Sequence, residues 1–110
     1  MIYEWREYDV VPGKMPALKD RFRNITRTFF EKHGIKVVGY WESEIGGDTG
    51  TLYYMVEWRD LAHRQEVWGA FASDPDWLAA KAETEKDGPL IRGIRNMILR
   101  PTDFSPPIGS

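Results

Sequence analysis

The 110-residue sequence contains no cysteine. Disulfides, thiolate nucleophiles and Cys-ligated zinc are therefore excluded. Its only histidines are His33 and His63, too few for an imidazole-rich metal site, so neither metal nor cofactor is expected. No apolar run reaches the roughly 18 residues that a membrane helix needs. Charge of one sign is also missing. Fifteen Lys+Arg stand against 17 Asp+Glu, a net charge of −2 without the basic excess of a nucleic-acid-binding surface. The opening Met-Ile-Tyr-Glu-Trp-Arg-Glu-Tyr alternates and carries two acids, unlike a signal or transit peptide, so a cytoplasmic protein is the default expectation.

Hydrophobic residues make up 42% of the chain and aromatic residues 14%, enough for one well-filled core and one domain. Residues 2–11 read as a strand, with Tyr3, Trp5, Glu7 and Asp9 on one face and Ile2, Glu4, Arg6, Tyr8 and Val10 on the other. After the Pro12-Gly13 turn, residues 14–33 read as a helix with the apolar stripe Leu18, Phe22, Ile25 and Phe29, ending at Gly34. Strands are expected at 36–45 and 51–59, joined by the glycine-rich loop 46–50. Asp60 is placed to cap a helix running to Ala72, with Leu61, Trp68, Phe71 and Ala72 inward. Asp74 and Pro75 start another helix, which stops at Gly88-Pro89. A last strand is expected over 93–100, and the prolines at 101, 106 and 107 mark an extended tail over 101–110.

Strand, helix, strand, strand, helix, strand is the ferredoxin-like βαββαβ order of an α+β domain, here over residues 1–100. Its helices cover one face of a four-stranded antiparallel sheet. Large apolar groups fall on both faces of the strands, so a lone chain would expose an aromatic surface. The expectation is a homodimer with sheets paired face to face.

The run Tyr3-Glu4-Trp5-Arg6-Glu7-Tyr8 with Pro12-Gly13-Lys14 resembles the NIPSNAP family. So do Val38-Gly39-Tyr40-Trp41-x-x-Glu44-Ile45-Gly46, Glu57-Trp58-x-x-Leu61-Ala62-x-Arg64, Ala72-x-Asp74-Pro75-x-Trp77 and Ile98-Leu99-Arg100-Pro101-Thr102-Asp103-Phe104-Ser105-Pro106. Five segments in order span residues 2–106. The resemblance implies a dimeric α/β-barrel, in a wider group that holds cofactor-independent monooxygenases, haem-degrading enzymes, lactone isomerases and polyketide cyclases. It also implies that the strand face of Glu4, Arg6 and Tyr8 lines the cavity between the paired sheets. Some eukaryotic NIPSNAP proteins add mitochondrial targeting segments; the opening of this sequence does not read as one.

Charged residues in the middle of a strand need either a partner or a task. In the catalytic reading, Arg6 binds an enolate, phenolate or carboxylate oxygen, Glu4 accepts a proton and Tyr8 donates to a developing oxyanion. In the structural reading, Glu4 and Arg6 are an ion pair that holds the sheet. Tyr40, Tyr54 and Trp58 suit the lining of a site for a flat molecule, or else a dimer core, and Glu42 is a second candidate carboxylate. His33 suits a helix C-terminus, His63 a solvated helix start, and Trp68 and Trp77 the core. Two functional classes follow. One is a cofactor-independent enzyme performing cyclisation, isomerisation, rearrangement or dehydration of a small aromatic or cyclic oxygenated molecule, with monooxygenation as an alternative. The other is a non-catalytic ligand-binding or interaction module.

Overall fold

The computed structural model describes residues 1–108. Strand β1 (Ile2–Val10) leads into one continuous helical run made of α1 (Met15–Arg21), a π-helical turn (Phe22–Thr26) and α2 (Arg27–Lys32). Strands β2 (Lys36–Glu42) and β3 (Thr51–Trp58) follow, then α3 (Leu61–Ala72), α4 (Pro75–Thr84) and β4 (Ile91–Leu99). The sheet order is β2-β3-β1-β4 and every pairing is antiparallel. Each helical crossover skips one strand, which defines the ferredoxin-like α+β fold. Strand β2 ends at Glu42, three residues before the expected limit, because the chain turns through Gly46 and Gly47 at φ of 84° and 67°. No described helix is long and apolar enough to cross a membrane.

Register fixes which side chains share a face, since directly paired residues point the same way. One row across the sheet reads Tyr40, Tyr54, Arg6, Asn96, and its neighbour reads Glu42, Leu52, Tyr8, Ile94. This is the helix-covered face. Tyr8, Val10, Leu52, Tyr54, Val56 and Trp58 pack there against Leu18, Phe22, Phe30, Phe71, Trp77 and Leu90. The resemblance implies that Glu4, Arg6 and Tyr8 look into a cavity between two sheets. The structure corrects this: they lie beneath the helices of their own chain. The helix-free face carries Trp5, Trp41 and Tyr53 instead, with Trp5 ring centroids 5.7 Å from both partners. Gly39 makes room for Trp41, because a Cβ there would stand 2.8 Å from the indole.

The helical run departs from the expected stripe for a geometric reason. A π turn holds one extra residue, and each residue rotates the helix face by about 100°. Leu18 and Phe22 are buried as expected, but downstream the buried positions are Thr26 and Phe30, with Ile25 and Phe29 only half-buried. Arg21, one position before the turn, is also buried.

Asp60 caps α3 by accepting from the His63 amide at 2.8 Å. The inner face of α3 is not the one expected. Leu61 is 63% exposed and Ala72 is exposed, whereas Phe71 is buried and Trp68 packs against the core. Asp74 caps α4 and also accepts from Lys32 at 2.8 Å and from His33 at 2.7 Å, tying the end of α2 to the start of α4. Beyond β4 the tail has neither helix nor strand through residue 108; positions 109–110 of the expected tail lie outside the described residues. Phe104 is expected to anchor the tail against the domain or a partner subunit. It is 84% exposed, so it does not pack on its own domain.

Leu18, with no exposed surface, packs at the centre of the helix–sheet interface. Leu18→Ala is expected to cost about 2–5 kcal/mol in urea unfolding. A loss below 1 kcal/mol would contradict this placement.

Candidate functional site

The site is built around Glu4, the third residue of β1, whose side chain is fully buried. Its two oxygens accept five hydrogen bonds. Oε1 takes Trp58 Nε1 at 3.0 Å and Arg64 Nε at 2.8 Å. Oε2 takes Arg6 Nη1 at 2.8 Å, Arg64 Nη2 at 3.1 Å and Asn96 Nδ2 at 2.8 Å. Burial alone would raise the carboxyl pKa, but Arg64, Asn96 and Arg6 together outweigh it and hold it at about 2. A carboxylate so fully occupied is a poor proton acceptor. The expectation of a base at Glu4 does not fit this geometry; Glu4 is an anchor for donors.

Arg6 occupies the next inward position. Its guanidinium lies 4.4 Å above the Trp68 ring, and its Nε donates to Tyr54 Oη at 2.8 Å. Two of the three donor nitrogens of Arg6 are thus engaged within the chain, Nη1 by Glu4 and Nε by a phenol. Tyr54 Oη lies 2.8 Å from Tyr8 Oη. Burial pushes the Tyr54 phenol well above its ordinary pKa, with Tyr8 adding to the effect, so Tyr54 stays neutral and keeps its hydrogen. After accepting from Arg6 the Tyr54 oxygen keeps a second lone pair, so in its contact with Tyr8 either hydroxyl can donate.

The residues singled out from sequence therefore divide. Glu4, Arg6, Tyr8, Tyr54 and Trp58 form one buried network. Trp58 is a donor to Glu4 with no exposed surface, not part of an open lining, and Tyr54 is equally enclosed. Tyr40 and Glu42 belong instead to a surface groove of about 200 Å³ between α1, the π turn and the outer edge of β2. Phe22, Tyr40 and Leu52 form its apolar floor, Trp41 borders it at the strand edge, and Lys19, Arg23, Arg27 and Glu42 form its charged rim. Lys19 pairs with Glu42 at 3.0 Å and Arg23 with Asp20 at 2.7 Å. Arg27 has no carboxylate partner among the described residues. Burial raises the Tyr40 phenol to about 12, with Arg27 pulling the other way, so Tyr40 is a neutral donor. Its ring packs 5.6 Å from Tyr54 and from Phe22, placing the groove directly outside the buried network.

Sequence reasoning missed Arg64, Asn96 and Trp68 in the network and the three cations of the groove. The 19, 23, 27 spacing does align those cations along one helix edge. Arg64 carried no such signal, because an arginine three residues after a helix start usually faces water.

The NIPSNAP family profile matches residues 3–106. In sequence, the chain is 32% identical to human NipSnap homolog 3A over 77 residues, which is 70% of this chain and 30% of that protein. It is 30% identical to the Drosophila melanogaster protein NipSnap over 105 residues, 96% of this chain and 36% of that one. It thus spans about a third of the length of those relatives. Among solved structures, a NIPSNAP family protein of Agrobacterium tumefaciens superposes with a TM-score of 0.83 at 30% identity, covering 96% of both chains. A NIPSNAP-like domain protein of Burkholderia xenovorans gives 0.84 at 24% identity, covering 97% of this chain and 90% of that one. A candidate antibiotic biosynthesis monooxygenase of Nitrosomonas europaea gives 0.62 at 14%, covering 92% and 98%, which is a likeness of fold. The class is thus a ferredoxin-like α+β fold shared with monooxygenase-like proteins. Within it, the chain belongs to the NIPSNAP family.

The Glu4 anchor carries a pH signature. Its folded pKa lies below the usual carboxylate value of 4.5, so the stability it contributes is present above that value and is lost as pH falls toward about 2. Glu4→Gln is expected to cost roughly 3–5 kcal/mol at pH 7, because Arg6 loses its buried counter-charge. It should also flatten the acid limb of the stability profile between those pH values. An unchanged acid limb would show that other carboxylates govern acid unfolding.

Proposed function

We propose that this chain works as a homodimer and binds a small cyclic or aromatic oxygenated anion in the groove beside β2. One observation carries the reading: the aromatic rings of Phe22 and Tyr40 line the groove beside Arg27, a cation without a carboxylate partner among the described residues. A flat ring stacks on such a floor, and a carboxylate or enolate oxygen completes the guanidinium. Tyr40 supplies the neutral donor for a developing oxyanion, and Glu42 supplies a carboxylate at the rim. These groups suit a cofactor-independent isomerisation, cyclisation, rearrangement or dehydration. The Glu4–Arg6–Tyr54–Tyr8 network supports the site from behind, as positioning residues rather than catalytic ones.

The dimer is supported by what the chain leaves uncovered. Every residue of β4 from Arg92 to Leu99 is exposed, including Ile94, Met97, Ile98 and Leu99, and the tail adds Phe104 and Ile108. An apolar edge strand of this kind is covered by another chain or aggregates. The same surface favours the second reading, an interaction module without catalysis.

Binding is expected for phenolic or cyclic keto acids, read by calorimetry at low salt. Arg27→Met should weaken it at least tenfold while leaving binding of the corresponding neutral amides unchanged. Equal affinity for acid and amide, or for wild type and variant, would overturn the groove reading. Turnover of a bound compound separates enzyme from module, and oxygen uptake on turnover would favour the monooxygenase alternative. Sedimentation at micromolar concentration is expected to give twice the 12.8 kDa chain mass; a monomer there would remove the dimer.

A further inference from the structure

The groove beside β2 carries more positive charge than one anionic group can use. Its lining holds Lys19, Arg23 and Arg27 against the single carboxylate of Glu42. Arg23 is offset on its own helical run by Asp20 at 2.7 Å. Arg27 takes the anion of the groove reading. Lys19 remains, and its Nζ donates to Glu42 Oε2 at 3.0 Å. This pair joins the two walls, since Lys19 belongs to α1 and Glu42 is the last residue of β2.

The Lys19–Glu42 pair opens easily. Its side chains are 37% and 51% exposed. An ion pair so exposed contributes little, because water and salt screen it and two long side chains lose freedom in holding it. Neither side chain makes another hydrogen bond or ion pair among the described residues. The fold does not depend on this contact, unlike the buried pairing of Glu4. A second carboxylate entering the groove repels Glu42 and meets an ammonium already pointed at an acid.

Size and spacing limit what such a ligand is. Lys19 and Arg27 are separated by two four-residue steps with Arg23 between them, about 12 Å along a helix axis at roughly 1.5 Å per residue. A six-membered ring with acids at opposite corners spans that distance when each acid meets its cation at about 2.8 Å. A cavity of roughly 150 Å³ is known to hold one benzene, and the groove offers about 200 Å³. The smaller pocket beside the π turn, about 50 Å³, shares Phe22 with the groove and has no room for a ring.

Resting on the groove reading, we propose that the ligand is a cyclic or aromatic dicarboxylate, with one acid on Arg27 and the other on Lys19 in place of Glu42. Displacement leaves Glu42 without its counter-charge beside the bound ring. The carboxylate is then offered as a proton acceptor only when the second acid is in place.

The test is calorimetry of the full chain with terephthalate and with its monomethyl ester, the same ring carrying one charge, at constant low ionic strength. Wild type is expected to bind terephthalate at least fivefold more tightly than the ester. Lys19→Met should cut that preference below twofold. Arg23→Met removes equal charge from the same helix edge but no partner of Glu42, and should keep it above threefold. Glu42→Gln should tighten terephthalate at least twofold, since nothing then competes for Lys19. Equal affinity for the two compounds, a preference that survives Lys19→Met, equal losses in Lys19→Met and Arg23→Met, or no tightening in Glu42→Gln would each overturn the proposal. So would a crystal with terephthalate in the groove and the Lys19–Glu42 pair intact. Ester binding that is lost in Arg27→Met while terephthalate binds no better removes the dicarboxylate alone. If neither compound binds, or Arg27→Met weakens neither, the groove reading falls and this proposal with it.

Discussion

A single buried carboxylate organises this chain. Glu4 sits on the inner face of β1, and its five hydrogen bonds come from β1 itself, β3, α3 and β4. A charge at that depth is tolerable only when it is fully paired. Each donor is therefore held in a fixed place: Arg64 docks α3 onto the sheet, and Asn96 ties the exposed edge strand to the interior. Arg6 is clamped between Glu4 and Tyr54, which orients the two phenols that follow. A neutral core of the same volume could stabilise the fold as well or better. It would not hand a directed hydrogen bond along β1 and across to β3.

The helical run solves a second constraint. A regular helix after Phe22 would keep Ile25 and Phe29 facing the sheet, and the π turn substitutes Thr26 and Phe30. Phe30 repays the change by packing against Phe71 at 5.0 Å, Trp68 at 5.9 Å and Tyr54 at 6.1 Å. Thr26 gains no such compensation inside the protein. The buried Thr26 hydroxyl is the cost of an irregular turn whose return is the packing of Phe30.

Much of the architecture was legible in the residues. Period-two alternation located the strands, and Asp60, Asp74 and Gly34 marked helix ends that the structure keeps. Strand alternation also put Glu4, Arg6 and Tyr8 on one face together. It could not say which of the two faces the helices would cover, because both carry aromatics: Tyr8 and Tyr54 on one, Trp5 and Trp41 on the other. The cavity side was inferred from family likeness and came out reversed. The stripe of the first helix failed downstream of Phe22 because period 3.6 presumes a regular helix. Trp58 and Tyr54 read as an open aromatic lining, since sequence shows a ring's side of the sheet but not its depth beneath a helix. Arg64 was invisible for the opposite reason, its partner being sixty residues away.

Phe22, the first residue of the π turn, lines both cavities. Its ring stands 5.6 Å from Tyr8 and from Tyr40 and 5.4 Å from Tyr54. Tyr40 faces the groove and Tyr8 the small pocket beside the π turn, while Tyr54 joins the two through ring packing and a shared hydrogen bond. One phenylalanine held among three tyrosines thus stands between the two pockets. Such a ring can swing only if its neighbours yield, and Tyr54 is pinned through Arg6 to Glu4. The buried ion pair therefore sets how firmly the two cavities are kept apart. It does so by fixing the phenols around Phe22, without itself touching anything that either cavity would hold.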